Sequence, residues 1–446
     1  MKARGISAAK NAKVAKTKPS GIPWIGDIPK GWEVGKIGAL YVHRNEKVSD
    51  KDYPPLSVTM KGVVPQLATA AKSDDGDNRK LVCKGDFAIN SRSDRRGSCG
   101  ISEYNGSVSL INTILTPRGE MNPVYYNWLF HTEAFADEFY KWGHGIVDDL
   151  WTTRWTEMKR MSIVAPPLAE QKAIADYLDK KCAAIDAAVA EAKKGIEEYK
   201  AWKKSLIFEM VTGKNRVDDL AAKNAKVAKT KPSGIPWIGE IPEGWKVMKL
   251  RRLGTFANGI SKGGEFFGKG NPFVCYSDVY KNEALPTTVK GLLLSTPEEQ
   301  ERYSVKTGDV FFTRTSETID EIGFAATCLK SITQATFAGF LIRFRPSGHE
   351  ILPCFSKYYF RNKLVSEYFA KELVMVTRAS LGQELLKSLP VLLPPLPEQQ
   401  AIADYLDEKC AAIDAMVAEK EALIADFEAY KTSLIYETVT GKREVA

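Results

Sequence analysis

At 446 residues the chain is about three times the usual ~150-residue domain quantum, so it carries at least two independent cores. A hydrophobic share of 44% and a charged share of 26% exclude wholesale disorder, and no stretch approaches ~18 uninterrupted apolar residues, which excludes a spanning helix and leaves a cytoplasmic protein as the expectation. The balance of 63 Lys and Arg against 55 Asp and Glu leaves a formal +8, a moderate excess that permits a polyanionic partner without proving one. Seven cysteines with no CxxC pair suit reduced thiols, and four histidines without metal-ligand spacing give no metal site; no structural metal is expected.

In chain order, the first feature is a basic lead-in over 1–19 that holds Lys2, Arg4, Lys10, Lys13, Lys16 and Lys18. Its composition resembles an organelle transit peptide, but the 19 letters AAKNAKVAKTKPSGIPWIG at 8–26 return unchanged at 221–239, where a cleaved leader has no reason to be. The match runs on through DIPKGW, ending at Trp32, and EIPEGW, ending at Trp245. Further along, PPLAEQKAIADYLDKKCAAIDAAV (166–189) returns as PPLPEQQAIADYLDEKCAAIDAMV (394–417), and VTGK at 211–214 returns at 439–442. The chain is therefore two copies of one unit. Between the shared blocks lie stretches with almost no mutual similarity, and the second is 15 residues longer, as the offset between copies grows from 213 to 228. The shared blocks read as scaffold and the divergent ones as interchangeable cargo. Because the junction at 211–231 reads like the C-terminus spliced onto the N-terminus, such a chain can close on itself with approximate two-fold symmetry.

Each copy ends in a segment of helical period. From Leu168 to Thr212 there is no proline and Gly195 is the only strong breaker. Apolar or small residues fall at Leu178, Cys182, Ile185, Val189, Ala192, Ile196, Tyr199, Leu206 and Met210, spaced alternately by four and three, with Lys203 in the remaining slot. The second copy repeats the seam at Leu406, Cys410, Ile413, Val417, Lys420, Ile424, Phe427, Lys431, Leu434 and Thr438. A heptad seam of this length predicts a helix packed along another helix, and pairing the two copies' seams, antiparallel under a two-fold, is the simplest way to bury both. Lys203 and Lys431, at equivalent seam positions, need a snorkelling stem or an acidic partner and read as register setters. Gly213 and Gly441 are placed to stop the helices. A segment of ~45 residues at ~1.5 Å each would span ~68 Å, about 20 steps of duplex DNA.

PPLxEQxxIAxxLD opening a long helix, GIPWIGxIPxGW leading into the preceding domain, and both given twice, together resemble the DNA specificity subunit of type I restriction-modification systems. KGDFAIN (84–90) and TGDVFFTR (307–314) also resemble the GD-containing strand start of that family's recognition domains. The resemblance implies an α+β protein of two mixed target recognition domains, at 20–165 and 235–393, joined by two long helices at 166–214 and 394–442 that form an antiparallel coiled coil, with a linker at 215–234. It implies no catalytic residues in this chain. Each recognition domain would read one half of a bipartite asymmetric site in double-stranded DNA, and the helices would fix the gap and dock two methyltransferase subunits, with restriction and translocase subunits as optional partners. S-adenosylmethionine, ATP and Mg2+ would then belong to those partners and none to this chain.

Candidate DNA contacts come from the residues themselves. SRSDRRG (91–97) places Arg92, Arg95 and Arg96 in a polar, glycine-ended stretch where guanidinium groups suit guanine edges or phosphates; a solvated loop explains the same letters. In the second copy Arg314 and Ser316 follow an apolar strand-like run. His144 and Arg378 precede the PPL blocks at comparable distances, with a packed histidine and a surface arginine as the plainer alternatives. The seam candidates are Leu178, Ile185, Val189, Ile196, Leu206, Leu406, Ile413, Val417, Ile424 and Leu434.

Enzyme readings find little support. No GxxxxGK[ST] loop is present, and NPVY (122–125), a near miss to the Asn-Pro-Pro-Tyr element of adenine methyltransferases, reads better as a proline at a helix start. Asp149, Glu157 and Lys159 have the spacing of a D…ExK nuclease core, which charged segments also produce by chance. The remaining alternative is a tether between two protein-binding domains.

Overall fold

The structure, a computed structural model, describes residues 16–66, 76–92, 95–145, 151–217, 229–316, 318, 321–372 and 379–445. It divides into two compact units that do not follow the linear copies. The first unites the chain up to Lys193 with Ala422 onward, and the second is Lys194–Glu421. Among the described residues no helix is long and apolar enough to cross a membrane.

In the first unit the sequence from Tyr41 to Pro117 builds a four-stranded antiparallel sheet ordered Cys99–Ile101, Phe87–Asn90, Asn112–Pro117, Tyr41–Arg44. Gly106–Val108, Arg79–Val82 and Lys47–Val48 form a three-stranded companion. The central strand Phe87–Asn90 is buried along its whole length, which is why its letters FAIN run apolar instead of alternating. Two short helices, Pro123–Phe130 and Glu133–Lys141, cover this sheet. NPVY opens the first of them: Asn122 is the N-cap, its side-chain oxygen accepting from the Val124 and Tyr125 amides at 2.9 and 3.2 Å, with Pro123 at the start of the first turn. Ser162–Ala165 pairs with Glu33–Lys36 and returns the chain to the scaffold. The hairpin Thr17–Pro19 with Asp27–Pro29 begins inside the stretch read as a lead-in.

The second unit repeats this architecture on different letters. Its four-stranded sheet runs Ala325–Thr327, Val310–Thr313, Leu341–Pro346, Gly254–Asn258, the first unit's order strand for strand. Lys246–Lys249 pairs with Pro390–Leu393, and Thr230–Pro232 with Glu240–Pro242. The longer cargo shows in the strand Phe267–Val274, which is irregular against Leu292–Leu293 and takes a parallel partner in Thr336–Phe337.

The two long helices are Leu168–Val211 and Leu396–Val439, each of 44 residues. Pro167 and Pro395 precede them, and Pro397 lies in the first turn, where a missing amide hydrogen costs nothing. Within each unit the beginning of one helix runs antiparallel to the end of the other. In the first unit Lys431 Nζ meets Asp186 at 2.6 Å and Lys193 faces Glu428. In the second, Lys203 Nζ meets Asp414 at 2.8 Å, and Gly195 lies against the stem of Lys420, which fills the space a side chain would take and lets the helix run through its one glycine. Both seam lysines thus have an acidic partner, at the equivalent aspartates of the two IDA triplets. Leu178, Ile185, Val189, Ile196, Leu406, Ile413 and Leu434 are buried; Leu206, Val417 and Ile424 are half-buried.

Each helix ends against the GIPW module of the other copy. Gly213 and Gly441 both take φ +72°, the left-handed conformation that closes a helix without a Cβ penalty. Gly213 packs on Pro242 and Trp245, and Gly441 on Pro29 and Trp32. Both tryptophans are almost wholly buried, at 2% and 1% exposure for Trp32 and Trp245. The Glu-Gln of each PPLxEQ block fastens the helix start. Gln171 accepts from the Asn122 amide at 2.8 Å and donates to the Pro166 carbonyl, and Gln399 does the same with Leu352 and Pro394. Glu170 accepts from the Trp32 indole at 2.6 Å, whereas Glu398 pairs with Arg216 at 2.9 Å.

Three outcomes follow for unfolding experiments. Gly213→Ala is expected to destabilise by more than about 1 kcal/mol, because it combines an unfavourable φ with a Cβ 2.6 Å from the Pro242 ring. Asp186→Ala and Asp414→Ala are expected to cost only about 0.5–1 kcal/mol, since both carboxylates are more than half exposed. Lys203→Met and Lys431→Met, which keep the stem and remove the charge, are expected to leave stability unchanged or raised.

Candidate nucleic-acid interface

The GD motifs set the geometry of the strands that carry the candidate readers. Gly85 and Gly308 both take φ +90°, which only glycine adopts without strain. The following aspartates are buried, Asp86 at 2% and Asp309 at 0% exposure. Asp86 accepts from the Cys83 amide at 2.9 Å, closing the turn, and from Arg44 at 2.7 Å and Thr116 at 2.8 Å. Asp309 accepts from the Lys306 amide at 2.7 Å and from two nitrogens of Arg345, both at 2.6 Å. Arg345 occupies the strand position of Thr116, so the same charge pair is built from an arginine on a different strand in each unit. The motif is an anchor. What it positions lies five residues on, at Ser91 and Arg314.

Around those positions the structure gathers some predicted residues and separates others. Arg92 and His144 both bridge to Thr152, His144 through paired backbone hydrogen bonds of 3.0 Å, so they are neighbours across one extended residue. Arg92, Arg95, Arg96 and His144 are all exposed. The Arg96 guanidinium is engaged by Asp137 on the helix Glu133–Lys141, a partner the local letters do not show. Arg314 is half-buried at the end of Val310–Thr313, its amide donating to the Phe340 carbonyl at 2.9 Å. Ser316 is 7% exposed, and its hydroxyl oxygen accepts from the Thr318 amide, so it shapes a turn. Arg378 and Asp149 lie outside the described residues.

Beside Ser91 and Thr152 opens a cleft of about 420 Å³ lined by His43, Lys80, Leu110, Ile111, Thr113, Arg154, Trp155 and Thr156, with no acidic side chain among its walls. The His43 ring stacks on Trp155, centroids 6.0 Å apart and planes at 28°. Among the described residues its Nε2 has no hydrogen-bond partner. Burial, and then the neighbouring charge of Lys80, holds the imidazolium below its ordinary pKa, so His43 is neutral at pH 7. The Lys80 ammonium donates to the Asn112 carbonyl at 2.7 Å, and burial lowers its pKa. Two cations, four hydroxyl-bearing residues and an aromatic face suit a phosphate and a base edge. Arg154, Trp155, His43 and Lys80 were not singled out from sequence. WTTRW (151–155) offered a signal in its density of tryptophan and arginine; for His43 and Lys80 there is none, because they come from strands of two different sheets.

A family described as the type I restriction modification DNA specificity domain matches residues 242–424. The chain is 24% identical over 438 residues to the type I restriction enzyme MjaVIII specificity subunit of Methanocaldococcus jannaschii, with 94% of each chain covered. It is 25% identical over 292 residues to the type I restriction enzyme EcoKI specificity subunit of Escherichia coli, covering 63% of this chain and 58% of that protein. A solved chain from work on complex assembly and conformational transition of the type I R-M system has a TM-score of 0.69 at 13% identity, covering 93% of this chain and 99% of that one. The HsdS subunit from Thermoanaerobacter tengcongensis has a TM-score of 0.53 at 14% identity, over 93% and 98%. At these identities the structures speak for the fold alone. Over residues 242–424 the chain matches the type I restriction modification DNA specificity domain, and over nearly its whole length it is similar to a type I restriction enzyme specificity subunit.

Proposed function

We propose that each unit reads one half of a bipartite, asymmetric DNA site and that the paired helices fix the gap between the halves. The observation that carries this reading is the repetition of one frame with different letters. Both units have the same four-strand order and the same buried GD anchor, yet the side chains beyond the anchor differ. A frame given twice with unlike readers suits two unlike half-sites. Arg92, Arg95 and His144 in the first unit and Arg314 and Arg378 in the second are proposed to contact bases or phosphates, with Arg96 held by Asp137. Phosphate contacts by this cationic surface give a steep salt dependence.

Catalysis is assigned to partners. We place methyl transfer in two modification subunits docked on the helical scaffold, with S-adenosylmethionine bound there, and any ATP- and Mg2+-dependent translocation or cleavage in restriction subunits. All of these act in the cytoplasm. The specificity chain supplies position: it holds each modification subunit over an adenine of its half-site.

The test is a genome-wide methylation map of cells producing this chain with type I modification subunits. A new bipartite adenine motif with a fixed gap is expected. A contiguous palindrome contradicts the bipartite reading, and no motif from an assembled complex contradicts it and favours a protein tether. The ruler is tested separately by inserting one whole heptad after Val189, which adds about 10 Å of helix. The gap is expected to change or assembly to fail with both half-sites unchanged; full activity at the original gap contradicts it.

A further inference from the structure

The ends of the two GD strands lie in the same backbone frame. In the first unit the Ser91 amide donates to the Ile111 carbonyl at 3.1 Å, and the Ser91 carbonyl accepts from Thr153 at 3.0 Å. In the second the Arg314 amide donates to the Phe340 carbonyl at 2.9 Å, and the Arg314 carbonyl accepts from Leu381 at 2.7 Å. Arg92 bridges Thr152 where Thr315 pairs with Ser380. Three segments therefore converge alike in both units: the strand end, the turn before the long strand Asn112–Pro117 or Leu341–Pro346, and the stretch before a short helix, Trp155–Met158 or Gln383–Ser388. Ser91, Ile111 and Thr153 match Arg314, Phe340 and Leu381.

The side chains on this frame are exchanged. The first unit has a small buried Ser91 at the strand end, with the exposed Arg92 next to it and the exposed Arg154 on the third segment, beside Trp155. The second unit has Arg314 at the strand end, and Gly382 stands where Arg154 would be. Each unit also shows an apolar residue to solvent from the middle turn, Leu110 at 38% exposure in the first and Phe340 at 64% in the second. Phe340 stands exposed on a turn next to the strand Leu341–Pro346 and offers its carbonyl to the backbone amide of the arginine itself. A guanidinium and an apolar group, presented on backbone that hydrogen bonds hold in place, match what the major groove displays: guanine O6 and N7 for the fork, a thymine methyl for the apolar group.

We propose that this three-segment locus is the specificity-determining site of each unit, with Arg154 and Leu110 reading one base step of the first half-site and Arg314 and Phe340 reading one of the second. The inference rests on the bipartite reading above and adds which residues discriminate. Position on the frame, and with it the base pair addressed, moves when the arginine moves from one segment to another, so two half-sites are distinguished without altering the fold.

The experiment is methylation, by the assembled complex, of a DNA library randomised in both half-sites, with Arg154→Ala, Arg154→Lys, Arg314→Ala, Arg314→Lys and Phe340→Ala. Arg154→Ala is expected to relax discrimination roughly tenfold or more at one base pair of the first half-site and leave the second intact, Arg314→Ala the reverse. Lysine, which lacks the bidentate fork, is expected not to restore either. Phe340→Ala is expected to relax one neighbouring position of the second half-site. The untouched half-site of each variant reports that the chain is folded and assembled. Unchanged preferences at both half-sites, with a bipartite motif still methylated, overturn the proposal and leave the bipartite reading standing. Uniform weakening rescued by lysine also overturns it, since the arginines then hold phosphates. A wild-type complex with no bipartite motif removes the underlying reading instead.

Discussion

The structure depends on how the ends of its two long helices are buried. A heptad seam cannot stand exposed, and each helix pairs its first part with the last part of the other. The closing turn then has one place to go, the tryptophan and proline of the other copy's GIPW module. Gly213 and Gly441 make the approach close by having no Cβ, and their positive φ turns the chain away at once. In the first unit the far end of the chain is part of the core: Leu434 and Val439 are fully buried with residues from Ile22 to Val189, and the Tyr125 hydroxyl donates to the Val439 carbonyl at 2.8 Å. Each recognition domain is thus completed by a segment of the other copy, which explains why the junction and the termini carry the same letters.

On that scaffold the two units keep one backbone frame and vary in their letters. Fixed are the buried Asp of the GD turn, its arginine, and the glutamine that ties the helix start to the domain. Even the arginine changes strand, from Arg44 to Arg345, because the requirement is a guanidinium beside a buried carboxylate and not a given residue number. The locus proposed for base reading follows the same logic: the backbone is constant and the position of the charge is not.

Much of this was legible in the sequence and some was not. The duplication, the helix boundaries and the seam lysines followed from literal repeats and from a period of four and three, signals that tertiary context does not override. NPVY as a helix start followed from capping chemistry. The common sheet of the two cargo stretches was not legible. Its central strands, FAIN and VFFT, are buried on both faces, so neither shows alternation and the two share almost no letters. The locus proposed for base reading was only half visible: Arg314 stands next to a recognisable strand, whereas Arg154, Leu110 and Phe340 are placed by turns and by hydrogen bonds between distant segments. Arg96 stood out as a free guanidinium until the fold brought Asp137 against it. The hairpins beginning at Thr17 and Thr230 lay hidden in lysine-rich stretches that read as lead-in and linker.

The central claim is that the C-terminal segment is a structural part of the first unit. The direct measurement is hydrogen exchange on a chain truncated after Glu421, compared with the full chain. The account predicts that protection falls in the first unit's scaffold, at Ile22–Trp32, Pro123–Phe130 and the start of the helix Leu168–Val211, while the sheet Gly254–Asn258, Val310–Thr313 and Leu341–Pro346 keeps its protection. Full protection of the first unit without residues 422–446 would contradict it.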